Sequence, residues 1–199
     1  MNLTMNNVAG SFDFHNHEGI QSLRGYFCSG CHTEWTELMP KLNWGEFNRE
    51  NDYWVGRTIH HEDNQIPRHI KGQMAAFILK TKRILDEGTG LDMEPDLLNF
   101  NRWLPGLDQP PHIDACPGLE HRQISVLLYI NEDYKGGDLY FPNQNYTFKP
   151  TPNSCVIFPG DDEYPHGVTP IEEGIRYTLS SFWTEDKSKW YDWRTWLED

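Results

Sequence analysis

The chain has 199 residues, 37% of them hydrophobic and 14% aromatic with eight Trp, enough to close one substantial core and not two. Its 17 Lys and Arg against 30 Asp and Glu leave a net charge of −13, which repels a phosphate backbone. The longest basic cluster, Lys80, Lys82 and Arg83, falls within a helical pattern, so nucleic acid is not an expected partner.

From Met1 to about Asn51 the chain is rich in Gly, Asn, His and Trp, and only 33–42 reads as a short helix. His15-Asn16-His17 reads as an exposed loop, because no partner ligand is evident. Over 68–87 the residues Ile70, Met74, Phe77, Ile78, Thr81, Ile84 and Leu85 recur three or four apart. Pro67 precedes that run and Gly88 follows it, which predicts an amphipathic helix. After Pro95 the period changes to 2, predicting short strands at 97–104, 123–130, 139–141, 146–149, 154–158 and 175–183. Pro105-Gly106, Gly136-Gly137, Pro142-Asn143, Pro150-Thr151-Pro152 and Pro159-Gly160 separate them, at the turn spacing of an all-β sandwich or barrel. In the tail, Trp190, Trp193 and Trp196 stand three apart and predict a helix whose aromatic face docks on the core. The expected organisation is one domain, with helical support over 1–94, a β core over 95–184 and an aromatic helix over 185–199.

No apolar run approaches the roughly 20 residues that cross a bilayer, and Met1 to Gly10 is polar, so no membrane partner is expected. Cys28, Cys31, Cys116 and Cys155 are too few for a disulfide scaffold, which fits a reducing compartment such as the cytoplasm. Cys28-Ser29-Gly30-Cys31-His32 lacks a second Cys pair and reads as incidental.

His112-Ile113-Asp114 is a candidate metal pair. Nine His and fifteen Asp in this length give about 0.7 chance His-x-Asp matches, so the pair alone says little. His61-Glu62-Asp63 matches as well, in a charged segment with no strand around it. Around His112 and Asp114 the chain is extended, and residues i and i+2 of an extended chain point to one side. His166, after enough strands for the chain to return, supplies a third ligand. Two His and one carboxylate with open positions form the facial triad of non-heme Fe(II) oxygenases, whereas closed zinc sites use four ligands. On the strand 175–183, Arg176, Thr178, Ser180 and Phe182 share one face. On 123–130, Ser125, Leu127 and Tyr129 do so too; Arg176 among small hydroxyl residues reads as a carboxylate pocket that the Tyr129 hydroxyl can enter, the alternative being a buried Arg neutralised by an internal Asp or Glu. Asn99 and Asn101 share the Trp103 face of their strand and point into the barrel.

Ordered motifs run from about Asn99 to Trp183: Trp103-Leu104-Pro105-Gly106, His112-Ile113-Asp114, Arg122 through Asn131, and Tyr134-Lys135-Gly136-Gly137-Asp138-Leu139. Val156-Ile157-Phe158-Pro159, His166-Gly167-Val168-Thr169-Pro170-Ile171 and Gly174-Ile175-Arg176-Tyr177-Thr178 follow. Together they resemble the prolyl 4-hydroxylase-like branch of the 2-oxoglutarate and Fe(II)-dependent oxygenases. The resemblance implies a mainly β double-stranded β-helix, or jelly roll, with helices on the larger sheet. It implies iron on His112, Asp114 and His166, and the distal carboxylate of 2-oxoglutarate on Arg176 and Tyr129, supported by Thr178. Arg122 matches a position near the substrate entrance, and Trp103 and Asn101 face the same pocket. Trp103 stands where the family more often has Tyr, and collagen-type members usually carry Lys at the Arg176 position.

The implied activity is hydroxylation of an unactivated C–H, of a prolyl residue in a peptide or of a free amino acid or small molecule. Fe(II), 2-oxoglutarate and O2 are its implied cofactors, with ascorbate as reductant and succinate and CO2 as products. A cupin-like metal-binding protein or isomerase is the alternative, and it has no need of the Arg176 and Tyr129 pocket. A nucleic-acid demethylase is disfavoured by the charge.

Overall fold

A computed structural model describes residues 13–48, 52–59 and 63–197. In chain order the elements are β1 (Asp13–His17), β2 (Ile20–Arg24), α1 (Ser29–Leu38), β3 (Val55–Thr58), α2 (Arg68–Thr89), β4 (Glu94–Trp103), β5 (Gln109–His112) and β6 (Ile124–Tyr129). Then come β7 (Tyr134–Gly136), β8 (Leu139–Phe141), β9 (Tyr146–Phe148), β10 (Cys155–Pro159), β11 (His166–Val168), β12 (Ile171–Gly174) and β13 (Arg176–Thr184).

A seven-stranded antiparallel sheet in the order β1-β2-β10-β6-β13-β4-β3 faces a four-stranded sheet in the order β5-β11-β8-β9, with β12 and β7 paired at one end. This is the expected jelly roll. Period-2 alternation divides the large sheet between two cores. Its outer face sends Phe100, Leu128, Leu179 and Trp183 against Trp35 of α1 and Phe77 and Ile78 of α2. Its inner face sends Trp103, Tyr129, Val156 and Phe158 toward Leu139, Phe141 and Val168 of the smaller sheet. A buried Phe or Leu side chain contributes roughly 1.5–3 kcal/mol, so the two layers of apolar side chains hold the sheets at a fixed spacing.

Helix α2 runs two residues past its predicted end. Gly88 remains helical, and the chain turns at Gly90, whose φ of 73° lies in the left-handed region and whose N–H bonds to the Asp86 carbonyl. Only that αL position demands glycine; an interior one costs about 1 kcal/mol relative to Ala and is tolerated.

The N-terminal stretch read as helical support also supplies three strands. His15-Asn16-His17 lies in β1, not in a loop, paired with β2 through a two-residue turn in which Glu18 and Gly19 both have positive φ. As the edge strand, β1 keeps Phe14, His15 and Asn16 exposed, so it shows no apolar alternation. Strand β5 was hidden by Pro110-Pro111. Proline has no N–H to donate and is accommodated at a sheet edge, which is where β5 lies.

The tail is not an α-helix but two 3-10 turns, Lys187–Lys189 and Trp193–Leu197. Three-residue spacing suits a 3-10 turn, in which i and i+3 eclipse. Trp193 and Trp196 dock on the chain's own core, and Trp193 donates its indole N–H to Glu94 at 2.8 Å. The Glu94 carboxylate is 1% exposed and also pairs with Arg194. Trp190 is half-buried and donates to the Thr184 carbonyl.

Cys28 and Cys31 are not incidental: they form a disulfide across the first turn of α1. Sequence spacing alone could not decide this, because pairing depends on the helical turn that brings their Cα atoms to 5.3 Å. No helix among the described residues is long and apolar enough to cross a membrane.

Candidate active site

Across the inner face of the large sheet, the strand register aligns side chains in rows. Arg176 on β13 pairs with Trp103 on β4, and one row on, Thr178 lies between Asn101 on β4 and Tyr129 on β6. Arg176, Thr178, Ser180 and Phe182 line one cavity with Trp103 and Asn101, as the alternation predicts, and Ser125, Leu127 and Tyr129 share a face of β6.

The Arg176 side chain is nearly inaccessible, at 3% exposure. It donates from Nη1 to the Gly137 carbonyl at 2.6 Å and lies 4.4 Å over the Trp103 ring. Among the described residues no acid forms an ion pair with it. Burial pushes its pKa down, opposed by Tyr129, Tyr134 and Asp138. Burial likewise pushes Tyr129 up, and raises Tyr134 to about 12. Arg176 Nε, the Tyr129 hydroxyl, Trp103 Nε1 and Asn101 Oδ1 are all buried without hydrogen-bond partners among the described residues. A buried charge among unsatisfied polar groups is costly unless an anion completes the site.

At the other end of the cavity, β5 and β11 place His112 directly opposite His166. Asp114 lies just beyond the end of β5, with Ser125 donating to its Oδ2. The carboxylate is 3.7 Å from His112 Nε2 and 3.5 Å from His166 Nε2, and one ligand atom from each of the three residues lies within 4.8 Å of the others. Each imidazole holds its other nitrogen against a backbone carbonyl, Nδ1 of His112 on Pro110 and Nδ1 of His166 on Tyr164. That keeps the proton on Nδ1 and leaves each Nε2 lone pair facing Asp114. His61 and Glu62 of the second His-x-Asp match lie outside the described residues, while Asp63 pairs with Arg57.

His166 is 4% exposed, and burial is the largest cause of a pKa lowered to about 4, with Asp114 opposing it. The imidazole is therefore neutral and ready to ligate at neutral pH. Between about 4 and the ordinary 6.5 the unfolded chain takes up a proton that the folded site refuses, so metal-free protein loses stability as pH falls through that window. The urea midpoint should drop between about pH 7 and about pH 4.5, with a shallower slope in His166→Gln.

Several contributors were invisible in the sequence. Trp54, just ahead of the unpredicted β3, stacks on Trp103 with ring centroids 5.4 Å apart and lines the cavity, as does Gln109 of β5. Arg122 does not line it. Its Nε donates to Asp96 at 2.8 Å and its guanidinium lies 4.0 Å over the Phe182 ring, so it backs a lining residue and is not a free cation at the entrance.

Gly137 was read as a turn residue, and the structure adds a second role. Its φ is +70°, and a Cβ there would come within 2.5 Å of Ile171 Cδ1 and 3.3 Å of Arg176 Nη1. Gly137→Ala should destabilise the fold by about 1–3 kcal/mol in chemical denaturation. It should also weaken binding of a carboxylate ligand, because the carbonyl that orients Arg176 moves.

A jelly roll with two imidazoles and a carboxylate at one end of a cavity, and a lone buried guanidinium at the other, has the architecture of a non-heme iron oxygenase. Residues 98–184, which span all of these side chains, match the model of the 2OG-Fe(II) oxygenase superfamily. Prolyl 3-hydroxylase 3 of Mus musculus is 33% identical over 96 residues, covering 39% of this chain and 13% of that protein. The chain thus spans a small fraction of the length of the curated relatives it matches. A Trichoplax adhaerens prolyl hydroxylase, solved with a hypoxia inducible factor peptide fragment, superposes with a TM-score of 0.66 at 19% identity, covering 86% of each chain. A Pseudomonas putida prolyl-4-hydroxylase superposes with a TM-score of 0.60 at 20% identity, covering 83% of this chain and 92% of that one.

The superfamily works with Fe(II), 2-oxoglutarate and O2. The residues present fit these groups. Two imidazoles and a carboxylate make a donor set for a divalent ion, and the unpartnered polar atoms around Arg176 await an anion.

Proposed function

We propose that this chain is an Fe(II)- and 2-oxoglutarate-dependent hydroxylase acting on a prolyl residue in a peptide. The observation that carries the reading is the buried Arg176, with no acid among the described residues paired to it, in the same cavity as the His112, Asp114 and His166 cluster. In this reading His112, Asp114 and His166 hold the iron, Arg176 and Tyr129 hold the distal carboxylate, and Thr178 supports them. When bound, the iron couples decarboxylation of 2-oxoglutarate to succinate and CO2 with insertion of one oxygen atom of O2 into an unactivated C–H.

The protein's own work is orientation and exclusion of water. Gly137 and Trp103 fix the Arg176 fork. Trp54 closes the cavity behind Trp103, and Ser125 holds Asp114 so that its carboxylate faces both imidazoles. Asn101, with Nδ2 donating to Ser180 and Oδ1 unpartnered, faces the bound molecules, as does Trp103. Arg122, held by Asp96, backs Phe182, which lines the cavity.

A prolyl substrate is supported by the relatives over the matched segment, and a peptide by the Trichoplax adhaerens neighbour solved with a peptide fragment, not by any residue of this chain. Ascorbate as reductant and the cytoplasm as compartment belong to the same proposal. In that compartment a C-x-x-C pair cycles between states and is not a permanent staple. The test is succinate release from 2-oxoglutarate with Fe(II), run on prolyl peptides and free amino acids, with the hydroxylated carbon located in the product. Stimulated release with prolyl peptides alone is the expected result. Release with free amino acids only would replace the substrate, and metal binding without any succinate would favour the cupin-like alternative.

A further inference from the structure

The Cys28–Cys31 disulfide has no part in the site described above. Cys28 is the N-cap of α1, and its Sγ accepts the N–H of Cys31 at 3.1 Å. Cys28 is exposed and Cys31 half-buried. A ring closed over so few residues constrains the unfolded chain little, so a structural staple is a poor account of it. An exposed sulfur at the N-terminus of a helix is instead suited to exchange, because a backbone N–H aimed at it, here that of Cys31, stabilises its thiolate.

What the pair is tied to supplies a second observation. Phe27, next to Cys28, is held through both backbone groups by the side-chain amide of Asn153, at 2.7 Å from its N–H and 2.6 Å to its carbonyl. The Asn153 N–H donates to the Tyr129 carbonyl at 2.9 Å. One turn along α1, the Thr36 hydroxyl donates to the Ile130 carbonyl at 3.0 Å. Phe27, His32 and Tyr129 line one small cavity, in which His32 Nε2 is buried without a partner. The first turns of α1 therefore hang on the segment that positions Tyr129.

We propose that Cys28–Cys31 is a redox-active site that exchanges with an external dithiol protein, and that its state sets the affinity of the Tyr129 pocket for 2-oxoglutarate. The second half rests on the function proposed above. In the exchange, a thiolate of the dithiol attacks Cys28 Sγ, and the S–S bond breaks with its electron pair leaving on Cys31 Sγ, which takes up a proton. The second thiolate of the dithiol then attacks its own sulfur in the mixed disulfide and releases Cys28 as a thiolate. The dithiol departs oxidised, and two electrons have moved to the protein. Opening the ring frees the first turn of α1 to shift against Phe27 and Asn153.

The test uses the full chain. Folded protein is incubated with thioredoxin and its reductase, then alkylated and weighed. Two alkylated thiols more than in a sample without thioredoxin are expected in the absence of denaturant, Cys155 being buried in both. Thiols that appear only on unfolding, or a purified protein with no disulfide, would overturn the exchange site. Anaerobic titration of the Fe(II) protein with 2-oxoglutarate is then run in both states, with about tenfold weaker binding expected in the reduced one. By linkage, saturating 2-oxoglutarate should shift the redox midpoint by about 30 mV, the equivalent of that tenfold. In C28S/C31S the affinity should not respond to thioredoxin. Equal affinities in both states, with exchange intact, would overturn the coupling. Exchange with no 2-oxoglutarate binding in either state would overturn the proposed function and the coupling together, and leave the exchange site standing.

Discussion

Arg176→Ala is expected to weaken 2-oxoglutarate binding by roughly 30-fold to several thousandfold while leaving Fe(II) affinity almost unchanged. Losing a bidentate, charge-assisted contact in a desolvated pocket costs about 2–5 kcal/mol, and each 1.4 kcal/mol is tenfold. Arg176→Lys should be intermediate, because the charge survives and the fork does not. Tyr129→Phe removes one hydrogen bond to a charged group and should cost about 1.5–3 kcal/mol. The measurement is anaerobic titration of the Fe(II) protein, following the visible charge-transfer absorption of keto-acid chelation. A companion measurement separates binding from structure. With no acid among the described residues in an ion pair with it, the guanidinium is a net desolvation cost in the ligand-free protein, so Arg176→Met should leave the ligand-free melting temperature unchanged or raised. A wild-type titration in Arg176→Ala, or a large loss of stability in Arg176→Met, would make Arg176 a structural residue.

His112→Ala should abolish turnover and lower divalent metal affinity by more than the roughly 10–100-fold expected when an outer partner of a ligand is removed. Ser125→Ala supplies that comparison, since its hydroxyl bonds only the Asp114 carboxylate within the cluster. His112 is partly exposed at the end of an edge strand, so truncation leaves little cavity and the fold should survive, as far-UV circular dichroism would show. His61→Ala, in the other His-x-Asp match, should leave both quantities near wild type. Equal losses in His112→Ala and His61→Ala would sink the metal assignment.

Where a strand is buried on one side and flanked by turn residues, its side-chain period is written directly into the sequence. The strands β4, β6, β8, β9, β10 and β13 and helix α2 were therefore legible, and so was the face of β13 that carries Arg176, Thr178 and Ser180. The closeness of His112 and Asp114 was legible for a related reason: residues i and i+2 of an extended segment share a side whatever the sheet's register, and Asp114 lies just past the end of β5. Strands β1, β3 and β5 carry no such pattern, because an edge strand is half solvated and, in β5, built on two prolines. Without β3 the sequence could not reveal that Trp54 stacks on Trp103, a contact made only when two distant segments pair in register. Arg122 and the Cys28–Cys31 pair show the same division. Their residue types state what each side chain can do, but the Asp96 carboxylate that claims the guanidinium and the helical turn that joins the sulfurs exist only in the folded chain. Periodicity is a local property of the backbone and survives in the sequence, whereas partnership between distant side chains is decided by packing.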